Sequence, residues 1–240
     1  MNTCTICNND TVFIDNIDFN KSSIGIHGGG SDILIEYRRC PYCGFVYTPT
    51  MYDWGDSKLG YYVYNDDYAI IDPDHEYTRP FTNACFINNK LLKYLPNITH
   101  FDYGGGKGLL SKTLQSNGWN SISYDKYYDS IELTSLYSEY NLITAFEVFE
   151  HCIDIHATMI ELLHRLSPTG VILFSTLIND KNISIPLEWW YACPRNGHVS
   201  LFSTTSLHVL ATYYNLNYEK INNNLHMFYK NKPDWANLLA

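Results

Sequence analysis

The chain has 240 residues, 45% of them hydrophobic and 17% charged, with a formal net charge of −9. That length and composition suit a folded protein with a sizeable core, one medium domain with an appendage or two small domains, and exclude the disordered class. The acidic balance disfavours nucleic acid as a partner, because nonspecific affinity for phosphates comes chiefly from lysine and arginine.

No apolar run reaches the length of a membrane span. The first residues, MNTCTICNND, lack the basic start and apolar core of a signal peptide, so a cytoplasmic setting is expected.

Cys4 and Cys7 form one C-x-x-C pair, and Cys40 and Cys43 form another. Four thiolates in two such knuckles suit a closed, tetrahedral and therefore structural Zn²⁺ site, with backbone N–H groups aimed at the sulfurs. Asn8 and Gly44, each just past a knuckle, suit the left-handed turn this geometry needs. The gap between the pairs predicts an inserted hairpin with strands over 11–14 and 33–37. The competing reading is buried free thiols or a redox pair. This zinc-ribbon-like segment is expected over 1–50, and it is too small to fold without its metal.

Residues 48–80 are rich in tyrosine and acidic side chains, with no clean period, and read as an ordered connector or lid, bounded at 51–84. Its aromatics, with Asp66, Asp67, Asp72 and Arg79, either line a polar pocket or only pack.

From 85 to 240 the pattern is that of an α/β domain. A helix is predicted over 81–95, then strand 98–103, helix 107–118, strand 120–125, strand 140–148, helix 154–170 with a Pro-Thr-Gly turn, and strand 171–176. A Ser/Thr-capped helix over 203–215 and two closing strands, 216–221 and 225–230, follow. This alternation predicts a doubly wound, mainly parallel, Rossmann-like sheet.

The loop FDYGGGKG, residues 101–108, identifies the ligand class. A phosphate loop needs Lys followed by Ser or Thr, but Lys107 precedes Gly108. A dinucleotide fingerprint needs a third glycine where Leu109 stands. Asp102-x-Gly104-x-Gly106-x-Gly108, followed by Asp125 at the end of the next strand, instead resembles motif I of the class I S-adenosylmethionine (SAM)-dependent methyltransferases. LITAFEVFEHCID resembles the fourth motif of that family, and RLSPTGVILFST the segment after it; the likeness covers about 85–230.

The resemblance implies SAM as cofactor, with Asp102, Gly104, Gly105 and Gly106 around its methionine end. It implies Asp125 on the ribose hydroxyls, and Phe146 and Glu147 beside the adenosine. A carboxylate accepts two hydrogen bonds from a diol, which gives the ribose role its physical basis. The family pattern is broken by the short gap from Asp125 to Tyr140, which has little room for a third strand and helix.

Methyl transfer to a hydroxyl needs alignment and a base. Glu150 and His151 lie at the fourth motif, and His198 in a later loop, and these are the candidate catalytic residues. Glu147-x-x-Glu150-His151 also resembles the E-x-x-E-H element of small-RNA 2′-O-methyltransferases and ubiquinone-pathway O-methyltransferases, which implies a second divalent cation at Glu147, Glu150, His151 and His198. Tyr191 and Arg195, with Trp189 and Trp190, are candidate substrate contacts, packing being the alternative.

The N-terminal knuckles also resemble those of a subgroup of bacterial methyltransferases, some acting on nucleotide-linked or polysaccharide-bound sugars. A small hydroxylated, sugar-like acceptor is therefore expected. The rival readings are a metal-assisted 2′-O-methyltransferase on RNA and a noncatalytic protein-binding zinc module on a degenerate scaffold.

Overall fold

The computed structural model describes residues 2–26, 28–128, 139–180 and 188–240. In chain order its N-terminal elements are β1 (Val12–Asp18), β2 (Lys21–Ser22), β3 (Gly25–Ile26), β4 (Leu34–Arg39), β5 (Val46–Tyr47), α1 (Pro49–Tyr52), α2 (Gly55–Tyr62) and α3 (Tyr68–Ile71). There follow α4 (Thr78–Leu91), β6 (Thr99–Tyr103), α5 (Leu109–Ser116), β7 (Asn120–Tyr124), β8 (Tyr140–Phe146), α6 (Ile155–Leu163) and β9 (Leu166–Ser175). The last are β10 (Ser200–Leu201), α7 (Thr204–Tyr213), β11 (Asn217–Lys220) and β12 (Leu225–Tyr229).

The chain forms two compact units, each discontinuous in sequence. The first comprises Met1–Pro73, Glu150–Ile153 and Thr176–Tyr214; the second comprises Asp74–Phe149, Asp154–Ser175 and Asn215–Ala240.

The second unit contains a six-stranded sheet in the order β11-β12-β9-β8-β6-β7. Strands β7, β6, β8 and β9 are parallel, while β12 and β11 close the sheet antiparallel. The chain leaves β6 through α5 to β7 on one side, and β8 lies on the other, so the order reverses at β6. Ligands of open α/β sheets bind beyond the carboxyl ends of strands at such a reversal. β8 is buried at Leu142–Ala145 because helices cover parallel sheets on both faces, which explains its nearly continuous apolar run. Ile87, Leu91, Leu114, Leu142, Leu173 and Met227 are fully buried in the core of this unit.

Two predicted boundaries change. Helix α6 is capped by Asp154, whose Oδ1 accepts from the Ala157 N–H at 2.9 Å, but it ends at Leu163. Residues of the Pro-Thr-Gly turn belong instead to β9, where the pairing jumps from Tyr140↔Leu166 to Leu142↔Val171. The turn is thus a bulge within a strand, which local turn chemistry cannot distinguish from a strand boundary. Residues 129–138, most of the short gap after Asp125, lie outside the described residues, and among these β7 is the edge strand.

The first unit holds a four-stranded sheet, β1-β4-β5-β10, and its own core around Ile35, Tyr37, Met51, Val63, Tyr191 and Leu201. The expected hairpin is present as β1 paired antiparallel with β4. Within 48–80, where no period is visible, three short helices form. Thr48 caps the first, with Pro49 at its opening position, so capping and aromatic packing supply what amphipathicity does not. Helix α7 carries the predicted cap as a reciprocal pair, the Ser206 N–H donating to Ser203 Oγ at 3.0 Å and the Ser203 N–H to Ser206 Oγ at 2.9 Å. Among the described residues no helix is long and apolar enough to cross a membrane.

Candidate active site

The glycine loop follows β6 directly. Gly104, Gly106 and Gly108 all have positive φ, at 72°, 56° and 74°. A Cβ on Gly104 would lie 2.5 Å from Val148 Cγ2, and one on Gly105 would collide with Ser123 Oγ and Asp102 Oδ2. Among the described residues, nothing lies within 4 Å of where a Cβ on Gly106 would stand. Two of these glycines are therefore demanded by the protein's own packing, and Gly106 presents a bare backbone edge.

Asp102 is 3% exposed. Its Oδ1 accepts from Thr144 Oγ1 at 2.7 Å, while among the described residues its buried Oδ2 has no hydrogen-bond partner, and neither has the buried Ser123 Oγ. Burial pushes the carboxyl up to about 7, against the Thr144 hydrogen bond and aided by the Asp125 charge. Asp125, at the end of β7, accepts from the Gly106 N–H at 2.9 Å on Oδ2 and from the Tyr127 N–H at 2.8 Å on Oδ1, which fixes its carboxylate against the loop. Phe146 ends β8, and Glu147 follows with φ 53°. Ser175 Oγ donates to Glu147 Oε1 at 2.6 Å and accepts from the Glu147 N–H at 2.8 Å. An orphaned carboxylate oxygen beside a loop cleared of side chains fits a cationic or hydroxyl-bearing ligand such as SAM.

In the first unit, Glu150, His151 and His198 each offer a ligand atom, all within 4.8 Å of one another. Glu147 is not a member of this group, and its carboxylate accepts from Ser175. Three points so spaced share a centre no more than about 2.8 Å from each, so a shift of about 0.7 Å reaches ordinary metal–ligand lengths. Glu150 is fully buried, and its Oε1 accepts from the Tyr191 hydroxyl at 2.5 Å. His198 Nδ1 lies 2.9 Å from the Tyr191 carbonyl, and His151 Nδ1 lies 3.2 Å from the Gly197 carbonyl and 3.0 Å from the Tyr64 hydroxyl. A carbonyl can only accept, so the Tyr191 contact places a ring proton of His198 on Nδ1, while the Tyr64 hydroxyl can donate to or accept from His151 Nδ1.

Gly197 is in the left-handed region at φ 86°, and a Cβ there would press on Val63 and on His151 Nδ1. Arg195, 4% exposed, donates to the Val63 carbonyl at 3.0 Å and to Asn65 Oδ1 at 3.1 Å, tying its loop to the segment between α2 and α3. Trp190 is 53% exposed. Tyr64 and the donor role of Tyr191 are not readable from sequence, since nothing local singles out one of 21 tyrosines.

The four N-terminal cysteines also converge, their sulfurs all within 4.8 Å, with Cys4–Cys43 at 3.7 Å and Cys7–Cys40 at 3.4 Å. Sulfurs around tetrahedral zinc stand about 3.8 Å apart, so the cluster is compatible with that ion. Backbone N–H groups of Ile6 and Cys7 point at Cys4, those of Tyr42 and Cys43 at Cys40, and that of Phe45 at Cys43. Asn9 Nδ2 donates to Cys7 Sγ at 3.3 Å. Hydrogen bonding from Cys43 draws the Cys4 thiol down to about 5, and the same contact holds Cys43 well above its usual range. Asn8 and Gly44 take the left-handed turns, at φ 58° and 74°.

The methyltransferase-domain family profile matches residues 78–221, more than half the chain, and the chain belongs to that family. No curated protein sequence matches it. Among solved structures it is similar to magnesium protoporphyrin IX methyltransferase from Synechocystis PCC 6803 with bound S-adenosylhomocysteine (SAH), at 13% identity over 75% of this chain and 93% of that one, TM-score 0.47. The plantazolicin methyltransferase BpumL with SAH gives 14% identity over 74% and 98%, TM-score 0.48. Human N-acetylserotonin methyltransferase with SAM gives 18% over 62% and 52%, TM-score 0.43.

Proposed function

We propose that the chain transfers the methyl group of SAM to a hydroxyl of a small polar acceptor of the sugar or glycoconjugate-precursor class. One observation carries the cofactor half: the buried Asp102 carboxylate, with an unpartnered oxygen, at the root of a loop whose Gly106 is open to approach. Bound SAM supplies an electrophilic methyl on a sulfonium. Asp102 and Gly104–Gly106 receive its methionine end, Asp125 its ribose hydroxyls, and Phe146 and Glu147 flank its adenosine.

Proton removal from the acceptor falls to the cluster of Glu150, His151 and His198, which begins three residues along the chain from Glu147. An imidazole takes the proton itself, or the trio holds a divalent cation that lowers the hydroxyl's pKa. The close spacing of the three ligand atoms favours the second reading. Tyr191 and Arg195 frame the acceptor side. A closed zinc site at Cys4, Cys7, Cys40 and Cys43 serves structure alone. The net charge of −9 supports a small acceptor over RNA.

The test is transfer of labelled methyl from SAM to a panel of nucleotide-linked sugars and to RNA oligonucleotides, with and without chelator. Label in the sugars is the expected result, and its loss on chelation supports the cation reading. Label in RNA alone would overturn the acceptor class.

A further inference from the structure

Beneath the glycine loop lies a chain of hydrogen bonds that neither the motif nor the family match assigns. Asp102 Oδ1 meets Thr144 Oγ1 at 2.7 Å, Thr144 Oγ1 meets His100 Nε2 at 2.9 Å, His100 Nδ1 meets Ser121 Oγ at 2.7 Å, and Ser121 Oγ meets Ser111 Oγ at 2.9 Å. All five residues are at most 3% exposed except Ser121, at 6%. They come together because His100 and Asp102, two apart on β6, face the same way, with β7 and β8 on either side.

Proton counting restricts this chain. Each hydroxyl has one proton, and His100 is neutral, burial having brought its imidazole down to about 3. If Asp102 is ionised it must accept from Thr144. Thr144 must then accept from His100 Nε2–H, so Nδ1 accepts from Ser121, whose proton turns away from Ser111, its acceptor in the structure. If Asp102 is protonated on Oδ1 and donates to Thr144, these bonds run the other way and the ring proton sits on Nδ1, whereas a proton on Oδ2 would leave the chain as in the first state. Between the second state and the first the chain loses one proton to solvent and Asp102 ends ionised, the Thr144 and Ser121 protons turn to their opposite neighbours, and the ring proton moves from Nδ1 to Nε2.

We propose that His100 is a positioning residue for the cofactor carboxylate: its tautomer and the ionisation of Asp102 are one coupled state, and ligand capture at Asp102 Oδ2 selects the Nε2–H form. The proposal rests on the SAM reading for the identity of the ligand, though the coupling itself does not. The groups facing Asp102 are Thr144 on β8, Ser123 on β7 and the Asp125 carboxylate, whose negative charge favours the protonated state. A cationic ligand opposes that bias.

The experiment is long-range ¹H–¹⁵N NMR of the full chain labelled in histidine, over pH 5 to 9, with ¹³C observation of the Asp102 carboxyl, repeated with SAH and SAM. His100 should stay neutral, change from Nδ1–H to Nε2–H as Asp102 ionises, and make the same change on SAM addition at pH 6. Thr144→Val, which cuts the chain at nearly constant volume, should uncouple the tautomer from Asp102 and weaken SAM binding at pH 8 by about tenfold or more. One tautomer throughout the Asp102 titration, or an imidazolium in its place, would overturn the proposal. Failure of SAM to bind with the apo coupling intact would instead count against the methyltransferase reading.

Discussion

Asp102 holds its carboxyl near neutrality at a cost to the apo protein. Its folded pKa, about 7, stands above the usual 3.8, chiefly through burial. The folded state therefore binds a proton more tightly than the unfolded chain between these values, so stability falls as pH rises from about 4 to about 7 and levels off above. The full penalty is on the order of 4 kcal/mol. Asp102→Asn removes the charge, and the cofactor-free variant should melt higher than wild type at pH 8 and match it near pH 4. A gap that is the same at both pH values would show that the carboxyl titrates normally. The positions of Asp102, Gly104, Gly106 and Asp125 are legible in sequence because each serves a local backbone or charge requirement. The surroundings of Asp102 are not, because Thr144 and Ser123 come beside it, and His100 reaches Thr144, only through strand register.

At the scale of elements, the parallel strands and their helices follow from apolar runs broken by caps and glycines. Strand β8 is an example, read from its burial-driven composition alone. The end of α6 and the bulge in β9 escape such reading, since a Pro-Thr-Gly turn and a bulge carry the same residues. The helices of 48–80 escape it as well, because their faces are not sorted by polarity. The paired knuckles are a stronger case, with spacing, left-handed turns and convergence in agreement. Cys40→Ser should release about one equivalent of zinc and lower the melting temperature of the full chain, with SAM affinity within about twofold of wild type. Undiminished zinc, measured by elemental analysis, would place the metal elsewhere. The residues Glu150, His151 and His198 are all legible in the sequence, two in the fourth motif and one in a later loop, but their closeness is not, because it depends on the turn at Gly197 that brings its carbonyl to His151.

For the whole molecule, membership of the methyltransferase-domain family over 78–221 and the sheet order that reverses at β6 state one claim, that this chain binds SAM. The discontinuity of the two compact units is beyond any linear reading, because segments 150–153 and 176–214 join the N-terminal unit through packing and not through sequence proximity. The claim is tested most directly by calorimetric titration of the zinc-replete protein and of Asp125→Ala with SAM and SAH, with NAD as control. The wild type is expected to bind SAM and SAH at micromolar concentration but not NAD, and the folded variant to lose about tenfold or more, as for hydrogen bonds to a charged group. No SAM or SAH binding by a folded wild-type sample would contradict it, and unchanged affinity in Asp125→Ala would remove the ribose assignment.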